Sequence, residues 1–542
     1  MALTPLIPII ILLAGVLALL LSLTLPARYP GPVAAATAGL ALIALLALGG
    51  QLPAEAIVSF WQPLTLSGVP VGLRLEGMTW LYALALTALA VAALLTGLSR
   101  PGGRRTASRG FILLLLAAGL AAVSSSNLLT LCLSWTFLDV MFLGAVALTE
   151  DRERVSEHTT FALAANGLAT LLVWVVALLG MREGASQYLH LFSFSVAQTT
   201  LLAIAGVVRL GLYPLHLWLP AEFDLRPGLS SLLHLAPAMA GLSLLSQLVL
   251  GARGDLPLHN PLTYAAGAAQ LIGAVLAWGQ DEPGRALSFI ILAQTGLVVL
   301  GGTWGGEAAA LALVAQGLVL LLSTGVLFLG QGYDPHRRIW SLPGVIAGAA
   351  LMGMPFTLGF VGRSALYAAF WSTGAWVLLV LSGIGQALLL ATVLRLLLRP
   401  ATGPLPPSPV VQGLGAMGLA GLAVPLVVFG LAPERLAGWL GVTPPSLMQG
   451  LAQMPVVGWV TWGLGLGLGV ALWRRDAQVR EARAQLQPLL VALFSLRWLY
   501  RAMAGLVEGV SRAVRALALL LEGEGALLWV LVVLVLAWLF LR

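Results

Sequence analysis

Apolar runs of roughly 20 residues follow one another along almost the whole chain, each closed by a charge or by a glycine- or proline-rich break. At 1.5 Å of rise per residue such a run reaches across a hydrocarbon core of about 30 Å, so each predicts a transmembrane helix. About sixteen runs begin near Pro5, Gly31, Glu76, Gly110, Asn127, His158, Ala197, Pro227, Pro261, Arg285, Ala308, Ser341, Ala375, Pro409, Met454 and Gly525. The fold class that follows is all-α and polytopic. One segment has a different rhythm: between Leu489 and Glu522 the residues Arg497, Arg501, Glu508, Arg512, Arg515 and Glu522 share one helical arc and the remainder is apolar. That pattern predicts an amphipathic helix of roughly 50 Å lying along the membrane surface before the last span.

Two of the runs are interrupted. The run carrying Arg209 breaks at Pro214, and a later one breaks over Gly353–Gly359 before reaching Arg363. The five-span blocks holding these breaks start at Gly110 and Pro261. An odd number of spans per block inverts the second relative to the first, and paired broken helices in inverted repeats mark transporter-type machinery. The organisation is then N-terminal spans over 1–109, repeats over 110–251 and 261–399, further spans over 400–474, the lateral helix over 475–524 and a final span over 525–542.

Composition agrees: 59% of residues are hydrophobic and 9% charged, with a mean hydropathy of +0.98. The isoelectric point near 10.1 does not imply nucleic acid, because the arginines sit singly or in pairs between apolar runs. They concentrate in alternate connections, such as Arg100–Arg109, Arg152 and Arg154, Arg337 and Arg338, and Arg474 and Arg475. By the positive-inside rule those connections are cytoplasmic in a prokaryotic inner membrane and both termini lie on the outer face. The first run lacks a basic leader and reads as a retained span, not a signal peptide. All 28 basic residues are arginine. The single cysteine, Cys132, rules out disulfides and cysteine clusters held by this chain alone and reads as a small buried residue.

The candidate chemistry centres on Val207–Pro237, which holds Arg209, Pro214, His216, Trp218, Pro220 and His234. A charge at membrane depth costs about 3 kcal/mol or more, so it faces a wet or protein-lined path. A proline break frees backbone groups that only a cavity or a neighbouring helix can satisfy. Gln294 and Gln316 are further polar groups at membrane depth, each an interhelical hydrogen bond or a path-lining group. Asp281-Glu282 reads as a solvated turn, and His158, His190, His259 and His336 as surface residues at span ends or in short loops. The 17 tryptophans suit interfacial belts and packing. No dinucleotide, phosphate-loop or haem signature occurs, so no cofactor and no metal is expected in this chain and redox chemistry falls to partners.

The stretch Arg209–Pro220 with His234 resembles the Pro-Leu-His-x-Trp-Leu-Pro signature of antiporter-like proton-channel subunits. These occur in respiratory complex I, Mrp antiporters, membrane-bound hydrogenases and inorganic-carbon pumps. Asn127-Leu-Leu-Thr-Leu with Trp135, Arg285-Ala-Leu-Ser-Phe with Gln294, and Gly353-Met-Pro-Phe-Thr-Leu-Gly-Phe match in order. The C-terminal end, with its lateral helix and Glu522-Gly-Glu-Gly, looks like the long distal type of subunit. The resemblance implies an ion path through Asp139, Arg209, His216, His234, Gln294, Gln316 and Arg363. It also implies membrane partner subunits contacted partly through 489–522, together with soluble redox or zinc-containing partners and lipid.

The chain departs from the family where the family ionises. Thr136 stands in place of the glutamate after Trp135, with Asp139 three residues on. Arg209 and Arg363 replace lysines; Gly284, Ala312, Gln316 and Leu320 replace other basic residues. A relay lysine works because its pKa can be brought towards 7, whereas bringing arginine there costs roughly 8 kcal/mol. Arg209 and Arg363 are therefore fixed charges. Three readings follow: a complex I-like subunit coupling partner redox chemistry to proton or sodium movement, the membrane half of a carbon-uptake pump, or a non-conducting scaffold. The route is either impaired or rebuilt from Asp139, His216, His234 and water.

Overall fold

The computed structural model describes residues 4–21, 30–58, 68–98, 105–149, 156–216, 218–219, 226–252, 257–303, 307–331, 333, 338–399, 408–442 and 447–494, with the single positions 496, 498, 501, 505, 509, 512, 515, 530–532, 534 and 538 beyond them. Every expected apolar run from Pro5 to Met454 carries a helix. In chain order these are α1 (Leu6–Leu21), α2 (Pro30–Leu48), α3 (Gly77–Leu98), α4 (Arg105–Val123), α5 (Leu128–Thr149), α6 (Ser156–Glu183), α7 (Val196–Leu210) and α8 (Pro227–Gly251). The second part continues with α9 (His259–Gly279), α10 (Pro283–Thr303), α11 (Glu307–Gly330), α12 (Arg338–Leu351), α13 (Leu358–Ser372) and α14 (Trp376–Leu397). After these come α15 (Pro409–Leu431), the short α16 (Pro433–Leu440) and α17 (Leu447–Gln453), then α18 (Val456–Arg474) and α19 (Asp476–Phe494). Among the described residues, 12 helices are long and apolar enough to cross a membrane. The helices α8, α10 and α11 are buried almost entirely, and α2, α6 and α18 lie at the periphery.

A feature the hydrophobic pattern did not announce is a small antiparallel hairpin, β1 (Ala54–Ile57) and β2 (Gly72–Leu75), with Ala54 opposite Leu75. Four-residue strands are too short for a period-2 signal to stand out. The hairpin is tied to the start of α5. The Gly72 N–H donates to Thr130 Oγ1 at 3.0 Å, and Asn127 Nδ2 donates to Pro70 O at 2.8 Å. Asn127 Oδ1 accepts from the Thr130 N–H at 2.9 Å, so this asparagine caps α5 while holding the hairpin.

Both broken runs stop in the same way. Gly211 takes a φ of 79° after α7, and the Leu212 N–H closes back on Val207 O at 3.0 Å. Gly353 takes a φ of 63° after α12, and the Met354 N–H closes on Ala349 O at 3.0 Å. This is the Schellman ending, in which a left-handed glycine satisfies the last helical carbonyls. The arginines are not equivalent about it: Arg209 precedes its break, and Arg363 follows its own on α13.

The chain divides into two compact units, 1–487 and 488–542. The expected lateral helix begins within α19, and its continuation past Phe494, like the last span from Gly525, falls outside the described residues except at isolated helical positions.

Candidate functional site

Arg209 is the last charged residue of α7, whose start is fixed by a capping box between Ser195 and Gln198. It is wholly buried, and its guanidinium meets Asp139 of α5 two-pronged: Nη2 lies 2.9 Å from Oδ1, and Nη1 donates to Oδ2 at 3.0 Å. Nη2 also donates to Trp135 O at 3.1 Å, and the plane stands 4.7 Å from the Trp135 ring centroid. Nη1 reaches Asn166 O and Thr170 Oγ1 on α6, each at 3.4 Å, and the Thr170 hydroxyl donates to Asp139 Oδ2 at 3.2 Å. Three helices thus converge on one ion pair. The bidentate fork suits arginine, and a lysine could not reproduce it.

Beyond the break the chain turns on itself, and the Leu219 N–H donates to His216 O at 2.9 Å. His216 is buried, with Nδ1 3.2 Å from Pro214 O and Nε2 without a partner. His234, on α8, has Nε2 2.8 Å from Leu219 O and Nδ1 2.7 Å from Ser230 O. Ser288 Oγ of α10 approaches the same Nε2 at 3.3 Å. His234 therefore stitches the break to α10. Trp218 donates to Val208 O at 3.3 Å, fixing the break against the end of α7. Pro220 lies outside the described residues. Arg209 makes no hydrogen bond to either histidine.

A second cluster gathers behind the later break. Arg363 is 1% exposed; its Nη1 donates to Gln386 Oε1 at 2.9 Å and its Nη2 to Leu351 O at 3.0 Å. The Tyr367 hydroxyl shares Gln386 Oε1 at 3.2 Å, and Gln386 Nε2 donates to Met352 O at 3.3 Å. Gln316, on α11, donates to Gly359 O at 3.2 Å. Gln294, on α10, is fully buried with neither amide atom bonded.

Of the residues expected on one path, the structure places Asp139, Arg209, His216 and His234 about the first break and Gln316 and Arg363 about the second, with Gln294 by itself. Sequence reasoning singled out these residues but not that grouping. It missed Asn166, Thr170, Ser288, Tyr367 and Gln386. Of these, Gln386 carried a readable signal, since it is a glutamine within an apolar run, as Gln294 and Gln316 are. Serines, threonines and tyrosines in apolar helices are too common to single out.

Asp281 departs from the solvated-turn reading. Although half exposed, it pairs with Arg483 and, at 3.8 Å, with Arg395; Asp476 pairs with the same two arginines. Arg399 adds a bond to the Asp281 carbonyl at 3.2 Å. His190 is exposed, as the surface reading expects. It lines a cavity of about 260 Å³ with Arg74, Glu76, Ser125, Ser126 and Gln247, beside the hairpin. Desolvation, and then the Arg74 guanidinium, hold its imidazole below the ordinary histidine range. Cys132 is buried and free.

Several buried polar atoms at the two breaks have no hydrogen-bond partner: Asn166 Oδ1, Arg209 Nε, His216 Nε2 and Arg363 Nε; both Gln294 amide atoms are unpaired as well. An unpaired buried polar group costs about 1–3 kcal/mol, and sites that carry several are sites water can satisfy.

Comparison with known proteins agrees with this architecture. The family model described as NADH:quinone oxidoreductase/Mrp antiporter, transmembrane, matches residues 124–389, which span both clusters. Among curated relatives, NADH-quinone oxidoreductase subunit N of Geobacter metallireducens is 28% identical over 469 residues, 80% of this chain and 96% of that protein. The chloroplastic NAD(P)H-quinone oxidoreductase subunit 5 of Adiantum capillus-veneris is 24% identical over 354 residues, 59% of this chain and 48% of its own length. Among solved structures, a chain of the Mrp complex from Dietzia sp. DQ12-45-1b superposes with a TM-score of 0.75 at 19% identity, and the match spans 98% of this chain and 63% of that one. A chain of the membrane-bound sulfane sulfur reductase, an archaeal respiratory complex, matches with a TM-score of 0.70 at 17% identity over 98% of this chain and 99% of its own.

Proposed function

We propose that this chain, a member of the NADH:quinone oxidoreductase/Mrp antiporter transmembrane family, is an ion-translocating membrane subunit of a multi-subunit, complex I-like assembly. In this reading partner subunits carry the redox chemistry, and this chain moves protons, or sodium, in response. The observation that carries it is the buried Asp139–Arg209 pair beside a broken helix, surrounded by polar atoms with no protein partner. Such an arrangement is expensive in lipid and is kept where it lines a hydrated route.

The roles follow from the chemistry of each group. Arg209 supplies a fixed guanidinium charge, so it sets the field and orients Asp139. Asp139, with a side chain 15% exposed, is the group beside it that can exchange a proton with water. His216 and His234 stand across the break, and His234 reaches Ser288. Gln294, Gln316 and Gln386 are neutral amides on the second-repeat side and do not store charge.

Asp139 borders an apolar face on which Phe137, Val140 and Leu143 of α5 and Leu168, Leu171 and Leu178 of α6 are exposed. A carboxylate at the edge of such a face favours cover by another membrane subunit over cover by lipid alone. The arginine-rich connections are assigned to the cytoplasmic face of an inner membrane and the hairpin to the outer face. The segment 489–522 is assigned to lateral contact with neighbouring subunits.

The test begins with purification in mild detergent and identification of the copurifying proteins. Reconstitution follows, with donor-driven pH change recorded in buffers with and without sodium. Hydrophilic redox subunits and a donor-dependent ion gradient support the assignment. A chain that purifies alone, with no gradient under any donor, overturns it.

A further inference from the structure

The two breaks hold their arginines in unlike electrostatic settings. Arg209 is matched by the Asp139 carboxylate, and the pair is neutral as a unit. Arg363 has only neutral acceptors: the Gln386 amide oxygen and the Leu351 carbonyl, with Nε unpaired. No ion pair involving Arg363 exists among the described residues. The guanidinium packs against the break: a Cβ on Gly353 would stand 2.7 Å from its Nε, so the glycine leaves room for it. As a guanidinium, Arg363 keeps its charge, and its two hydrogen bonds hold that charge beside the break.

We propose that Arg363 is a fixed positive barrier that excludes cations from the second repeat, so that the two halves of the molecule are functionally unequal. The compensated Asp139–Arg209 pair leaves the first half open to a hydrated cation, whereas the uncompensated charge at Arg363 repels one through a low-dielectric surround. This rests on the ion-route reading above and assigns its asymmetry. Charge alone sets the barrier, so compensation lifts it without any change of space. Gln386→Glu does this with Arg363 still present, because it puts a carboxylate oxygen where an amide oxygen now accepts at 2.9 Å.

The test uses the full-length chain with its copurifying subunits in vesicles of zwitterionic lipid. Passive proton flux is driven by a potassium–valinomycin potential and read by an internal pH dye; chloride flux is read in parallel by a chloride-quenched dye. Gln386→Glu and Arg363→Gln are each expected to raise proton flux at least tenfold and to leave chloride flux level or lower. Proton flux at the wild-type level in both variants overturns the proposal. So does a joint rise of proton and chloride flux, which is loosened packing. Should Arg363→Gln fail to assemble, Gln386→Glu decides, since it retains the arginine and the side-chain size and gives up only the bond to Met352 O. Donor-driven transport by the wild type separates the two readings: if it is present while the variants change nothing, only the barrier fails; if it is missing, the ion route fails and the barrier with it.

Discussion

The two terminal nitrogens of Arg209 face the two oxygens of Asp139, at 3.0 Å and 2.9 Å, with the guanidinium wholly buried and the carboxylate at the edge of an exposed apolar face. Each residue is the other's sole charged partner among the described residues. Removal of either one strands the other.

Asp139→Leu is therefore expected to destabilise the chain by about 3 kcal/mol, because it leaves a buried guanidinium uncompensated. The double replacement Asp139→Leu with Arg209→Met should recover most of that loss, since a neutral, well-filled site needs no counter-charge. Thermal unfolding in detergent across the four-member cycle measures the coupling. Independent effects that simply add would contradict the ion-pair account.

Arg209→Lys keeps the charge but gives up the fork to Asp139 and the bonds to Trp135 O and Asn166 O. A loss of about 1.5–3 kcal/mol is expected, the value of a hydrogen bond to a charged group. The lysine can titrate where arginine cannot, so driven transport should acquire a pH dependence absent from the wild type. Transport rates from pH 6 to pH 9 check this.

His234→Ala removes the side chain that faces Leu219 O, Ser230 O and Ser288 Oγ. The break loses its tie to α10 and a carbonyl loses its donor, at about 1–3 kcal/mol. Hydrogen exchange over 210–220 should accelerate in the variant, with no matching change around Gly353.

Arg483 is 2% exposed and bridges Asp281 and Asp476. Arg483→Ala is expected to loosen the start of α19 from the α9–α10 turn. Limited proteolysis at the α18–α19 junction should become faster, and an unchanged cleavage pattern would count against this tie. High salt should reproduce only part of the effect, because the arginine end of the network is buried and screened little.

The His190 imidazole is held below its ordinary range by desolvation and then by Arg74, against weaker opposing pulls from Glu76 and Glu55. The unfolded chain then binds the proton more readily, so this residue's contribution to stability falls as pH drops below about 6.5. His190→Gln should flatten the acid side of the stability profile, measured by melting temperature between pH 5 and pH 7. Arg74→Gln should shift the His190 titration upward.

Much of the architecture was legible because length and hydropathy dictate it: each run from Pro5 to Met454 carries a helix. Among the described residues 12 helices are long and apolar enough to span, and the runs at Pro5, Ala197 and Ser341 give shorter ones. The break at Pro214 and the buried charge of Arg209 could be read because charge and proline are costly at membrane depth. The hairpin was hidden because Ala-Glu-Ala-Ile and Gly-Leu-Arg-Leu are too short to show a period. Gln386 was overlooked among leucines and alanines, although its amide decides the setting of Arg363. The unequal placement of the two arginines about their glycine stops depends on backbone geometry that sequence spacing does not carry. Asp281 looked solvated because its arginine partners lie far along the chain, on α14 and α19.

The most direct test of the account is donor-driven ion translocation by the intact assembly carrying Asp139→Asn, a replacement that keeps shape and removes the exchangeable charge. The account predicts assembled complexes with partner redox turnover retained and ion movement reduced at least tenfold, or about 1.4 kcal/mol. Translocation at the wild-type rate in such complexes would contradict it.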